Sequence, residues 1–182
     1  MDEELMEKKI GSETIFDGNL LHVRRDTVCL PNGKSATREW IQHPGASSVI
    51  PVFPDKQILL VRQYRYPIGQ VTLEVPAGKL DSPEEDPLTC AKRELSEETG
   101  YEADRLKKLS VLATTVGFSN ELIHMYVAEG LKPGVQHPDE DEFIHLVRMP
   151  LQQAVEMIWD GRIFDAKTVA SILMLDSQLK DQ

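Results

Sequence analysis

Between Ala77 and Tyr101 the chain sets out a glycine turn, an acidic loop and a helix whose carboxylates crowd one side, and no other stretch constrains the fold so tightly. Asp86 suits a helix N-cap, Pro87 the first helical position and Gly100 the stop, which predicts a helix over about 87–99. At about 100° per residue, Leu88, Ala91 and Leu95 fall on a narrow apolar stripe that would face a core. Glu94, Glu97 and Glu98 lie beside that stripe at i, i+3 and i+4. Like charges at that spacing weaken a helix by roughly 0.2–0.5 kcal/mol for each close pair, so a neutralising partner is expected. Oxygen-only ligands suit a hard cation, Mg²⁺ or Mn²⁺. Taken without its surroundings, the same trio also fits a solvated helix face with Arg93 pairing internally.

At 182 residues and 41% hydrophobic, the chain is long enough for one well-formed core and a small appendage. Its formal charge of −10 argues against a nucleic-acid backbone as partner. An acidic protein that handles an anionic substrate needs divalent metal between the two, in keeping with the helix carboxylates. Cys29 and Cys90 have neither metal spacing nor disulfide density and are expected to be reduced thiols. The acidic start has no apolar signal region, and no window approaches a membrane span, so a cytoplasmic protein is expected. His22, His43, His124, His137 and His145 are scattered, with no ligand spacing, and are expected to be structural or surface residues.

Residues 1–12 are charged and expected to be mobile or a loose helical turn. From Glu13 to Gln42 the composition is strand-like, and Asn32-Gly33 between alternating segments signals a hairpin. This predicts a small antiparallel sheet over residues 1–45, ended by His43-Pro44-Gly45, ahead of a main domain over 46–182. Strands are expected at Ser48–Phe53, Gln57–Arg62, Leu106–Thr115, Ile123–Ala128 and Phe143–Arg148, with a loop over 130–142. A helix follows at Leu151, Ala154, Val155 and Ile158. Asp165 should cap a last helix with Val169, Ile172, Leu173 and Met174 inward. In Arg62-Gln63-Tyr64-Arg65-Tyr66-Pro67, basic and aromatic residues interleave, as in an edge strand with solvated arginines or in a binding segment. In the second case Arg65 holds a phosphate or carboxylate in its planar fork and a tyrosine stacks on a base or sugar.

The run Glu85, seven residues, Arg93-Glu94-Leu95, Glu97-Glu98, Gly100-Tyr101 resembles the Nudix box, G-x5-E-x7-R-E-U-x-E-E-x-G-U, with U a bulky aliphatic residue. The first half carries one extra residue, since six rather than five separate Gly78 from Glu85; Glu84 has the spacing to the glycine and Glu85 the spacing to the helix. P-N-G-K, H-P-G-A, V-R-Q-Y-R, E-V-P-A-G-K-L, D-E-D-E-F and D-A-K-T are similar to the ADP-ribose pyrophosphatase and nucleoside-diphosphate-sugar pyrophosphatase branch of that family.

The resemblance implies an α/β fold, a Nudix α/β/α sandwich with a mixed sheet, and a homodimer with the N-terminal sheet packed or exchanged across the interface. Val28, Trp40 and Ile41 are candidate contacts there. It implies Mg²⁺-dependent hydrolysis of the pyrophosphate bond of a nucleotide sugar, with Mn²⁺ a substitute, to a nucleoside monophosphate and a sugar phosphate. Glu94 and Glu98, with the Ala77 carbonyl, would hold metal. Glu97 would support them and Arg93 would orient them. Glu142, or else Glu140, would be the catalytic base. Arg65, with Arg62, Tyr64, Glu74 and Phe118, would contact substrate. Val116 stands where the ADP-ribose branch commonly has proline, which leaves ADP-ribose and nucleoside diphosphate sugars both open. A non-catalytic nucleotide-sugar sensor and a hydrolase of oxidised nucleoside triphosphates are the competing readings.

Overall fold

The computed structural model describes residues 2–137 and 142–180. The chain divides into two compact units: the first takes it up to Pro44 together with Ala113–Glu121, and the second takes Gly45–Leu112 and the chain from Leu122 onward.

The first unit is an antiparallel sheet of β1 (Lys8–Asp17), β2 (His22–Cys29) and β3 (Ser35–Gln42), in that order. Asn32 and Gly33 make the expected hairpin turn: Gly33 sits at φ 80° and the Asn32 Oδ1 accepts the Lys34 N–H at 3.0 Å. The chain start departs from expectation. Glu3–Leu5 form a single 3₁₀ turn and β1 already begins at Lys8, opposite Cys29, because β2 offers these charged residues a full-length partner. Charges pair across the sheet, with Arg25 donating to Glu13 at 3.2 Å and to Glu39 at 2.7 Å. Of the candidate contacts between subunits, Val28 is already buried in the single chain, and Trp40 donates its Nε1–H to Asp26 at 3.1 Å. The large apolar side chains left exposed on β1 are Ile10, Ile15 and Phe16. Residues 113–121 attach through β3: the Ile41 N–H donates to the Phe118 carbonyl at 2.8 Å and the His43 N–H to Asn120 Oδ1 at 2.7 Å.

The second unit runs β4 (Ala46–Pro51), β5 (Gln57–Arg65), β6 (Gln70–Glu74), β7 (Ala77–Lys79), α1 (Pro87–Thr99), β8 (Tyr101–Ala113), β9 (Leu122–Pro133), β10 (His145–Pro150), α2 (Leu151–Trp159) and α3 (Ala166–Lys180). One sheet has the order β7-β4-β9-β8 and is mixed, β4 lying parallel to β9 and antiparallel to β7. The other, β10-β5-β6, is antiparallel. All six residues of β4 are buried, and its alternation separates two cores. Val49 meets Ala91 and Leu95 of α1, whereas Ile50 meets Ala154 and Val155 of α2 and Ile172 and Leu175 of α3. The result is an α/β/α sandwich, as the sequence implies.

Several boundaries move. β8 starts at Tyr101 rather than Leu106, β9 continues to Pro133 into the expected loop, and β10 starts at His145 rather than Phe143. In β8 and β9 the neighbours continue to pair past the apolar residues that mark the strands in sequence. On α3, Met174 is 36% exposed and Leu175 takes its place in the core, because the buried stripe runs through Thr168, Ser171, Ile172 and Leu175 and Met174 falls off it.

Candidate active site

Helix α1 brings the carboxylates to the sheet. The Asp86 carboxylate accepts the Thr89 N–H at 3.1 Å, Pro87 opens the helix, and Gly100, at φ 70°, closes it with its N–H on the Ser96 carbonyl. The stripe that buries Ala91 and Leu95 carries Glu94 and Glu98 inward with it, while Glu97 stays partly exposed. Glu98 accepts the Ala77 N–H at 3.0 Å. Glu94 lies so close to Gly78 that a Cβ at that position would be 2.0 Å from its Oε1, so the glycine is the space the carboxylate occupies.

Arg93 ties the loop to the helix. Its Nη1 donates to Glu94 at 2.6 Å and Glu97 at 3.2 Å, and its Nη2 donates to the Lys79 carbonyl at 3.2 Å and lies 3.5 Å from Glu85. Glu85 also accepts the Asp81 N–H at 2.6 Å, and its own N–H donates to the Ser82 carbonyl at 3.1 Å. The extra residue of the loop is therefore absorbed in the turn at Ser82–Glu85, and Glu85 rather than Glu84 faces the helix arginine.

Too little positive charge meets these buried acids. Burial pushes Glu94 up to about 7, against the opposing pull of Arg93, with Glu97 and Glu142 adding repulsion. Burial pushes Glu98 up to about 8, followed by the Glu94 charge and, after the Ala77 hydrogen bond that lowers it, Glu142. The exposed Glu142 is thus within electrostatic reach of both; Glu140 lies outside the described residues. Among the described residues no three His, Cys, Asp or Glu side chains stand together as a finished metal cage. The donors still fit a hard divalent cation: two buried, under-compensated carboxylates, oxygen-only, beside the short strand β7 that holds Ala77.

A second polar cluster forms where β5, β6 and the start of α3 meet. Glu74, 2% exposed, takes the Arg65 guanidinium on both oxygens, at 2.8 and 2.7 Å, accepts the Thr72 hydroxyl at 2.6 Å and pairs with Lys167. Burial would raise the Glu74 pKa, but Arg65, Lys167 and Thr72 outweigh it and hold the carboxyl down at about 2. Asp165 caps α3, accepting the Thr168 N–H at 3.0 Å and its hydroxyl at 2.6 Å, and lies 3.0 Å from Lys167. A cavity of about 330 Å³ opens over the cluster, with Pro67, Ile68 and Phe164 in its walls. Pairing of Val61 with Glu74 and Gln63 with Thr72 puts Arg65 and Glu74 on one face of the sheet and Arg62 and Tyr64, both exposed, on the other. Phe118, 55% exposed, belongs to the first unit. The structure thus joins Arg65 with Glu74 and Glu94 with Glu98, and separates Arg62 and Tyr64 from the first pair. Thr72, Asp165 and Lys167 have no part in the sequence-derived site; D-A-K-T stands out in sequence, but nothing local shows that Lys167 meets a glutamate 93 residues away.

Residues 42–172 match the NUDIX domain model. The chain belongs to the Nudix family. In this Nudix hydrolase, residues 7–41 also match the nucleoside diphosphate sugar hydrolase N-terminal domain, the sheet of the first unit. It is 44% identical over 174 residues to the methanol dehydrogenase activator of Bacillus methanolicus, covering 94% of each chain. It is 40% identical over 181 residues to the ADP-ribose pyrophosphatase of Bacillus subtilis, covering 98% of this chain and 96% of that one. A crystal structure of an ADP compounds hydrolase superimposes with a TM-score of 0.85 at 26% identity, over 98% of this chain and 97% of the other.

Proposed function

We propose that this Nudix hydrolase cleaves the pyrophosphate bond of ADP-ribose or a related nucleoside diphosphate sugar with Mg²⁺, or Mn²⁺ in its place, releasing a nucleoside monophosphate and a sugar phosphate. The observation that carries the reading is the buried Glu94–Glu98 pair, Glu94 against Gly78 and Glu98 on the Ala77 N–H, an acidic site that calls for a divalent cation before it can meet an anion. The likeness to an ADP-ribose pyrophosphatase over nearly the whole chain supports the substrate class.

In this reading Glu94, Glu98 and the Ala77 carbonyl hold the metal, Glu97 supports them, and Arg93 keeps Glu94 and Glu97 in place. A bound divalent ion supplies a more acidic water and neutralises phosphoryl charge. Glu142 takes the proton of the attacking water, with Glu140 as the alternative. Arg65, held by Glu74, grips an anionic group of the substrate above the cavity, while Arg62 and Tyr64 lie on the opposite face of the sheet and take no part in that grip. The enzyme works in the cytoplasm, with Cys29 and Cys90 as free thiols. It works as a homodimer joined through the sheet of residues 1–45, whose Ile10, Ile15 and Phe16 are otherwise exposed to water.

Steady-state hydrolysis of ADP-ribose, GDP-mannose, ADP-glucose and UDP-glucose, with Mg²⁺ and with EDTA, tests the reading. Monophosphate release that EDTA abolishes is expected, and its absence for every substrate would sink it. A mass in solution near twice 20.5 kDa is expected for the dimer, and a monomer would refute that part. The 44% identity to a methanol dehydrogenase activator favours a second reading, in which the chain raises the activity of a dehydrogenase. Adding it to a methanol dehydrogenase and following alcohol oxidation distinguishes the two.

A further inference from the structure

Glu74 meets two cations. Arg65 presents one edge of its guanidinium, Nε and Nη2, to both carboxylate oxygens, and its side chain is 43% exposed. Lys167, only 11% exposed at the side chain, approaches the Oε2 of the same carboxylate from α3. A bidentate arginine already satisfies a carboxylate in geometry and in charge, so a second buried ammonium group there is surplus to stability, and burying it is costly. Its other partner, Asp165, is engaged by the Thr168 N–H and hydroxyl at the N-terminus of α3, where the helix dipole offsets negative charge. The Lys167 charge is thus largely directed at Glu74. The second edge of Arg65 takes no hydrogen bond among the described residues, and Arg65 lines the 330 Å³ cavity.

We infer that Lys167 is a positioning residue for substrate binding: it serves as the counter-ion of Glu74, so that Glu74 fixes the orientation of Arg65 without cancelling the charge Arg65 offers to an anionic group in the cavity. With Lys167 gone, Arg65 and Glu74 form a closed neutral pair and the cavity loses its attraction for an anion. The inference rests on the reading of Arg65 as the anion-binding residue and adds to it the residue that keeps Arg65 available.

Steady-state kinetics on ADP-ribose with Mg²⁺ test this with Lys167→Met, Lys167→Arg, Glu74→Gln and the Lys167→Met/Glu74→Gln pair, each checked for folding by its melting temperature. Lys167→Met is expected to raise KM on the order of tenfold with kcat within about twofold, and Lys167→Arg to restore KM. In the Glu74→Gln background, where the carboxylate that Lys167 offsets is gone and Arg65 feels only the more distant Glu98 and Asp165 charges, Lys167→Met is expected to leave KM unchanged. An unchanged KM in Lys167→Met alone, or an equal rise with and without Glu74, overturns the inference. Lys167→Gln carries the same expectation should the methionine variant not fold. Arg65→Met separates the two levels. If it leaves KM unchanged, the role of Arg65 itself fails; if it raises KM while Lys167→Met does not, only the role of Lys167 fails.

Discussion

Glu98 is the residue at which burial and function conflict most openly. It is 3% exposed, its carboxylate accepts a hydrogen bond from the Ala77 backbone N–H, and its charge adds to that of Glu94. Such a carboxylate is a net cost to the empty protein and an asset once a divalent cation arrives. Mg²⁺ or Mn²⁺ at saturating concentration is therefore expected to raise the melting temperature of the wild-type protein by several degrees, by binding the folded state alone. Glu98→Gln is expected to abolish that rise and to reduce hydrolysis by about a hundredfold or more. Differential scanning fluorimetry with and without metal, beside an activity assay, checks both. An active Gln variant that still responds to metal would remove Glu98 from the metal site.

Among the elements, α1 with its preceding turn is the part whose physics is local. The caps at Asp86 and Gly100, the Ala91–Leu95 stripe and the inward Glu94 and Glu98 all depend on residues within a few turns of one another, so they are legible in sequence. The tight fit of Gly78 against Glu94 yields a prediction at this scale. In Gly78→Ala the new methyl meets only the end of a flexible side chain, so stability should fall by less than about 1 kcal/mol. The carboxylate must nevertheless move, so activity and metal response should drop at least about tenfold. At Gly100 the balance reverses: an added Cβ meets the Gln136 backbone N at 2.7 Å in a left-handed turn, a stability defect. What sequence could not reveal is long-range. Lys167 reaches Glu74 from α3, the alternation of β5 sets Tyr64 apart from Arg65, and residues 113–121 join the first unit through hydrogen bonds of Phe118 and Asn120 to Ile41 and His43. No spacing rule carries these contacts, because each depends on which strands become neighbours.

For the whole molecule, the Glu74 cluster couples stability to acidity. The folded Glu74 pKa of about 2 lies below the ordinary 4.5, so the folded state favours the ionised form. The stabilisation is complete above about pH 4.5 and is lost progressively as pH falls toward about 2; it amounts to about 3 kcal/mol for this one group. Denaturant melts at pH 7, 4 and 3 should show wild-type stability falling along that limb, while Glu74→Gln should start lower at pH 7 and fall less steeply. Parallel curves for the two proteins would contradict the assignment.

The return of residues 113–121 to the N-terminal sheet has a consequence for modularity. The backbone passes between the two units three times, at 44/45, 112/113 and 121/122. The small sheet is therefore not a detachable head that recombination could transplant as one continuous segment. A cut after Pro44 would remove the hydrogen-bond partners of Phe118 and Asn120 and leave an orphaned strap on the remaining body. Grafting this sheet onto another hydrolase would require two separate inserts, so the pair is expected to be inherited together and to diverge together.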